Sequence, residues 1–424
     1  MGQYVERVLD RELDELTVGL PAISLEGPKG VGKTATAARR AGTVLNLERA
    51  TQRALLDAEP ERLDAGPFPV LVDEWQRYPP VWDLVRRSVD RDASAGRFLL
   101  TGSAAPAGAP MHSGAGRIVS LRMRPMSLAE RGLGSPTVGL RALLSGQRPS
   151  IHGESSVALA GYTDEILASG FPGMRPLPLR ARRAQLDSYV ERIVEREFAE
   201  HGHVVRRPAT LRGWLRAYAA ATSTTASYNA ILDAATAGEL DKPARDTTRV
   251  YRDVLTQLWL VEPVPGWLPG RGTFGRLGQA PKHHLADPAL AARLLGVDAA
   301  ALRAGDEAPG EQLRDGSLLG ALFESLVALS VRVYAQAAEA RVHHLRTRNG
   351  DHEVDLIVER ADRRVVALEV KLGQTVGDSD ARHLHWLRER MGDDLLDAAV
   401  ITTGRDAYRR RDGIAVIPAA LLGP

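Results

Sequence analysis

Apolar and polar positions divide this chain into stretches of different period. Between Val18 and Gly132, short apolar runs (PAISLEG, TVLNLE, FPVLVDE and RFLLTGSA) alternate with helical spacing. Runs that stay apolar on successive residues predict strands covered on both faces, as in a parallel sheet. From Leu133 to Gly161 the periodicity fades into Gly, Ser and Pro, which predicts a linker. Tyr162 to Gly266 reads as mainly helical. A long charged stretch from Leu179 to His201 precedes three shorter helices at Thr210–Thr222, Ser227–Ala235 and Ala244–Trp259. The Gly/Pro-rich GWLPGRGTFGRLGQAPK follows, and strands alternate with helices again from about Lys282. We therefore expect an α/β chain of three domains, spanning 1–160, 161–275 and 276–424.

Composition narrows the chemistry. With 44% apolar and 25% charged residues, the chain has the balance of a globular protein. Its net charge of +2 neither demands nor excludes a nucleic-acid partner, so any basic surface must be local. The absence of cysteine removes disulfides, thiolate zinc sites and cysteine nucleophiles together. The charged N-terminus MGQYVERVLDRELDEL has no signal-peptide core, and no run of about 18 apolar residues stands out, so the expectation is a cytoplasmic protein without a membrane segment. Eleven histidines, several in pairs, come with no convincing set of further metal ligands.

One motif carries most of the chemistry. GPKGVGKT (Gly27, Pro28, Lys29, Gly30, Val31, Gly32, Lys33, Thr34) fits G-x-x-x-x-G-K-[ST] and lies between an apolar strand and an Ala-rich helix. Its glycines let backbone N–H groups close around phosphate, and the helix N-terminus favours the anion. Lys33 is expected to reach the β- and γ-phosphates of ATP, and the Thr34 hydroxyl to hold Mg²⁺. FPVLVDEW then places Asp73 at a strand end for the Mg²⁺ shell, with Glu74 beside it to polarise the attacking water. At the end of RFLLTGSA, Thr101 or Ser103 is positioned to sense γ-phosphate by hydrogen bond. Arg117, on a Gly-flanked loop, is a candidate arginine finger toward a neighbouring subunit in a homo-oligomer.

Together with LVDEWQRYP, LLTGSA, AGRIVSLRMRPMSLAE and GFP at Gly170–Pro172, this loop resembles the prokaryotic AAA-type ATPases fused to a C-terminal domain of unknown function. The resemblance spans nearly the whole chain and implies an AAA-like ATPase core, a winged-helix middle and a nuclease-like end. That group often has Arg where this chain has Lys29, which leaves the phosphate-cradling logic untouched.

In the middle stretch, the three short helices followed by LVEPVPGW suit a winged helix-turn-helix. Val250, Val254 and Leu258 recur every four residues and should face the core. Arg245, Thr248, Arg249 and Arg252 then lie on the polar face, where they would contact the phosphates or base edges of DNA; the alternative is a lid whose arginines are merely solvated.

At the C-terminal end, a helix over Gly316–Ala338 carries Glu324, Asn349-Gly350 marks a hairpin, and VVALEVKLG leads to a helix at Asp378–Met391 and a last strand AAVITTG. Helix, three strands, helix, strand is the order of a PD-(D/E)xK, restriction-endonuclease-like core. Asp355 and Glu369 fall where such a core needs metal ligands, Glu324 is available to complete the set from the helix, and Lys371 would stabilise charge at the scissile phosphate. Period two puts Glu369 and Lys371 on one face. An inactive domain that retains the fold is the alternative.

Overall fold

The structure is a computed structural model that describes residues 4–102, 115–236, 245–268, 280–304 and 317–424. Its four apolar runs form β1 (Ala22–Glu26), β2 (Thr43–Asn46), β3 (Val70–Asp73) and β4 (Phe98–Gly102), and a further strand, β5 (Val119–Arg122), is written as the mixed VSLR. All pair in parallel, in the order β2-β3-β4-β1-β5. Strand β4 is thus inserted between β1, which precedes the glycine loop, and β3, which ends in Asp73. Their C-terminal ends meet along one edge, where parallel sheets present residues to ligands. Every residue of β3 and β4 is buried, consistent with the unbroken apolar runs that specify them.

The segment expected to be a linker is not free. Its apolar cluster VGLRALL folds as β6 (Val138–Gly139) and a short helix, Leu140–Leu144, whose Leu140, Leu143 and Leu144 are buried. Further along, Ser155 N–H donates to Arg405 O at 2.8 Å. The turn residues hide a strand and a helix too short to show a period.

Beyond it, the C-terminal strands are β7 (Arg341–Arg346), β8 (Glu353–Glu359), β9 (Val365–Val370), β10 (Leu395–Thr402), β11 (Tyr408–Arg409), β12 (Ala415–Pro418) and β13 (Leu422–Gly423). Six of them form a mixed sheet in the order β11-β12-β10-β9-β8-β7, while β13 pairs in parallel with β6. The chain end is thereby tied back to residues that follow the first sheet. One large apolar core runs from Leu9 through Leu322 to Leu422, so the three stretches share an interior.

The Ser317–Ala337 helix sits at the centre of that core. By length and composition alone it could cross a membrane, with mean hydropathy 1.6 over Leu318–Ala337, although Glu324 and Arg332 interrupt its apolar residues. It is apolar around much of its circumference because neighbours cover it, with 67% of the stretch buried in the fold.

The middle stretch contains helices Leu179–Arg192, Pro208–Ala220, Tyr228–Ala235 and Arg245–Gln257. Ser227 caps the third of these by accepting a hydrogen bond from Ala230 N–H at 3.1 Å. After Gln257 an antiparallel ribbon forms: Val261 bridges Leu285, and Val264 bridges Lys282. The ribbon joins the C-terminal sheet at β7, where Gly266 bridges His344. Residues on both sides of position 275 therefore share one ribbon.

Candidate nucleotide site and C-terminal carboxylate cluster

The glycine loop leaves β1 in conformations that side chains resist. Gly27 has φ +150°, and a Cβ there would lie 2.1 Å from Met123 O. Gly30 and Gly32 also have positive φ. The helix that follows starts at Lys33, which is 6% exposed, with Nζ 2.7 Å from Gly27 O and 3.0 Å from Pro28 O. Burial pushes its ammonium down to about 8, against the opposing pull of Glu74 and Asp73.

Asp73 is the centre of the polar cluster. Its Oδ1 accepts from Thr34 Oγ1 at 2.7 Å and from Thr101 Oγ1 at 2.6 Å, and its Oδ2 from Asn46 Nδ2 at 3.3 Å. The loop, β3, β4 and β2 each contribute one group. A hydroxyl beside a carboxylate is a hard oxygen set of the kind that suits Mg²⁺, so Thr34 and Asp73 fit that ion. Glu74 follows in a left-handed conformation, φ 55°, and accepts from Gln76 Nε2 at 2.6 Å. Burial raises its pKa, and the adjacent Asp73 raises it further. Gly102 leaves room for the turn after β3, since a Cβ there would lie 2.6 Å from both Gln76 Oε1 and Trp75 Nε1.

Ser103 lies outside the described residues, whereas Thr101 is in place on Asp73. Arg117 is exposed and its Nε donates to Asp90 Oδ1 at 2.8 Å on the Pro80–Arg91 helix.

Several contacts around the loop have no signal in the sequence. Arg7 is buried, donating to Val31 O at 3.0 Å and Arg124 O at 2.7 Å while pairing with Glu130. Lys29 Nζ lies 2.5 Å from Glu197 Oε1 and 3.6 Å from Glu200 Oε2, and Tyr189 Oη donates to Lys29 O at 3.1 Å. A cavity of about 520 Å³ opens beside the loop, with Lys29, Gly30, Arg192 and Arg196 in its wall. Asn46 does have a signal, as a polar residue ending an apolar strand next in sequence to the loop's helix.

On the Arg245–Gln257 helix, Tyr251, Val254, Leu255 and Leu258 just beyond it are buried. Val250 is only half-buried, because the apolar face is centred one residue further round. Arg245 and Arg249 are exposed, and Arg249 is 3.7 Å from Asp253. Thr248 Oγ1 donates to Arg245 O at 2.9 Å. Arg252 is half-buried, its guanidinium 4.7 Å above the Tyr228 ring.

In the C-terminal sheet, Glu324 of the central helix, Glu353 and Asp355 of β8 and Glu369 of β9 lie close together. Lys282 from the ribbon enters among them, with Nζ 2.9 Å from Glu324 Oε1, 3.1 Å from Glu353 Oε1 and 2.9 Å from Asp355 Oδ1. Asp355 Oδ2 accepts from Val370 N–H at 2.9 Å, and Lys371 Nζ donates to Glu369 Oε1 at 2.8 Å. Burial and then the charge of Asp355 push both Glu324 and Glu369 up to about 8. Although these carboxylates are close, no group of three or more His, Asp or Glu side chains among the described residues is spaced to hold a metal ion. As arranged, the cluster does not fit a divalent ion, because an ammonium already occupies its centre.

Residues 20–131 match the family model of an AAA domain. Residues 160–301 and 319–422 match models described as Domain of unknown function (DUF8612) and Domain of unknown function (DUF4143). The N-terminal unit is an AAA-type P-loop ATPase domain, a class that binds nucleotide. The chain is similar to the uncharacterized protein Rv2008c of Mycobacterium tuberculosis, at 27% identity over 411 residues that cover 94% of this chain and 80% of that protein. Mb2031c of Mycobacterium bovis matches at the same values, 27% over 411 residues. Among solved structures, the Walker-type ATPase PABY2304 of Pyrococcus abyssi aligns at 14% identity and TM-score 0.40, covering 69% of this chain and 96% of that one. The ORC2 protein of Aeropyrum pernix aligns at 16% and TM-score 0.28, covering 68% and 90%.

Proposed function

We propose that this chain is a cytoplasmic, Mg²⁺-dependent ATP-hydrolysing switch that associates with DNA. The observation that carries the reading is Asp73, whose Oδ1 holds both Thr34 of the loop and Thr101 of the inserted strand. Lys33 would bind the β- and γ-phosphates, Thr34 and Asp73 would hold Mg²⁺, which would neutralise phosphate charge, and Glu74 would take a proton from the attacking water. The raised pKa of Glu74 brings its basicity nearer to that of a useful general base at neutral pH. Thr101 donates to Asp73 and would sense the γ-phosphate by hydrogen bond. Arg117 would act on a neighbouring subunit's nucleotide after leaving Asp90.

DNA association rests on the Arg245–Gln257 helix and the ribbon after it, which support a winged-helix reading in which the ribbon is the wing. Arg245, Thr248, Arg249 and Arg252 would be its contacts. Replacing Arg249 and Arg252 by Ala is expected to weaken duplex binding and to flatten its salt dependence, since each phosphate contact releases counterions. Equal affinity and equal salt slope for the variant and the parent would leave the helix as a solvated lid.

For the C-terminal sheet, the element order supports a restriction-endonuclease-like core with Glu324, Asp355, Glu369 and Lys371 at its centre. The contacts of Lys282 favour the second reading, a switch whose nuclease-like domain does not cut. The parent is then expected to cleave no DNA form with Mg²⁺ or Mn²⁺, with or without ATP. Cleavage that disappears in Asp355→Ala and Glu369→Ala would restore the metal-dependent nuclease.

A further inference from the structure

We infer that the cation of the C-terminal carboxylate cluster is the ammonium of Lys282, and that this ion pair docks the ribbon formed by residues 261–264 and 282–285 onto the C-terminal sheet. The inference goes beyond the nucleotide-site reading and stands independently of it. Lys282 is one of only five lysines in a chain with 55 Lys and Arg residues. An ammonium is compact and strongly hydrated, so it is expensive to bury without full compensation. Lys282 is 1% exposed, and its Nζ lies 2.9, 3.1 and 2.9 Å from oxygens of Glu324, Glu353 and Asp355, donating a hydrogen bond to Asp355 Oδ1. Those carboxylates come from the central helix and β8, while the lysine comes from the ribbon. Three separate pieces of chain thus meet at one charge.

A divalent ion would need such oxygens at about 2.0–2.6 Å, and an ammonium already among them disfavours it by like charge. The lysine is also fixed by its backbone. Lys282 N–H donates to Val264 O at 2.9 Å and Val264 N–H to Lys282 O at 2.8 Å. The facing strand is held in turn by Glu262, which pairs with Arg124 at 2.8 Å, Arg122 at 3.5 Å and Arg332 at 3.7 Å. These hydrogen bonds hold the Lys282 backbone on the ribbon beside the cluster, within reach of its carboxylates.

The test uses the full chain without nucleotide. Mn²⁺ uptake is followed by electron paramagnetic resonance in the parent, in Lys282→Met, and in Lys282→Met combined with Asp355→Asn. Lysine acetylation, read by mass spectrometry, is measured on the parent with and without Mn²⁺. The parent is expected to show no Mn²⁺ site that depends on Asp355, while Lys282→Met gains one and the double variant loses it again. Lys282 should acetylate at least about tenfold more slowly than the half-exposed Lys371, whether or not Mn²⁺ is present, because a locked amine reacts only on local opening. Should Lys282→Met fail to fold, adding Glu324→Gln and Asp355→Asn is expected to recover the parent's circular dichroism by removing the stranded carboxylates. The inference is overturned if the parent binds Mn²⁺ through Asp355, if Lys282→Met folds but gains no Mn²⁺ site, if Lys282 labels as fast as Lys371, or if Lys282→Met fails to fold and the neutralised variant does not recover.

Discussion

Replacing Glu74 by Gln is expected to leave ATP binding near the parental level and to lower turnover by roughly 10²–10⁴-fold, the usual worth of a positioned general base. The amide keeps the side chain's shape and can still accept from Gln76, whose Nε2 lies 2.6 Å from the native carboxylate. What it loses is the capacity to take a proton. The left-handed backbone at φ 55° holds Glu74 out of the line of β3, so the effect should be confined to the chemical step. Equilibrium binding of a fluorescent ATP analogue and phosphate release, measured on the same preparation, separate the two quantities. Parental turnover in Glu74→Gln would remove the residue from the water-activating role.

The largest expected loss of stability follows from Glu262→Ala. Burial alone would raise the pKa of this carboxyl, but Arg124, Arg122 and Arg332 outweigh it and hold the group well below the ordinary carboxylate range. Arg122 also stacks on Trp259, its guanidinium 3.5 Å from the ring centroid. Deleting the carboxylate leaves three close guanidinium groups with like charge and no common acceptor, a change that costs about 3–5 kcal/mol when a buried pair is broken. Chemical denaturation should report that loss, and a loss below about 1 kcal/mol, the value of an exposed pair, would show the cluster to be solvent-screened. The pH dependence has a fixed sign. Because the folded pKa is depressed, the contribution is present above the unfolded value and is lost as pH falls below it, from about pH 4.5 downward. The parent should therefore lose stability through that acid window, and Glu262→Ala should show a flatter profile.

The centre of the first sheet is legible in the sequence because β3 and β4 are each written as an apolar run followed by a turn or a functional residue, whereas β5, VSLR, is too short and mixed to show one. The loop is legible for a different reason: phosphate needs glycines, a lysine and a hydroxyl at fixed spacing, and Gly27, Lys33 and Thr34 meet that spacing between a strand and a helix. The segment after Gly132 reads as a linker because β6 is two residues long and pairs with β13, at the other end of the chain. No local pattern encodes a partner that far away.

Lys282 shows the same limit at a site. Glu353 and Asp355 stand two apart on one strand, so their shared face is available from the spacing alone. The lysine that neutralises them lies 73 residues before Asp355, at the end of a Gly/Pro-rich run that reads as a loop. Only the ribbon, built on two isolated bridges, brings it there. Arg7 is a parallel case: in sequence it is one charge in a charged helix start, whereas in the fold it braces Val31 of the loop and the backbone of Arg124.

Whether Gly27–Thr34 and Asp73-Glu74 form one working ATP site is decided by phosphate release from ATP by the purified full chain, with Mg²⁺ and with a chelator, compared between the parent and Lys33→Ala. Metal-dependent release is expected from the parent, and neither release nor nucleotide binding from Lys33→Ala, whose missing ammonium no other described group replaces beside Gly27 and Pro28. Phosphate release by Lys33→Ala at the parental rate, or no ATP binding by the parent, would contradict the assignment.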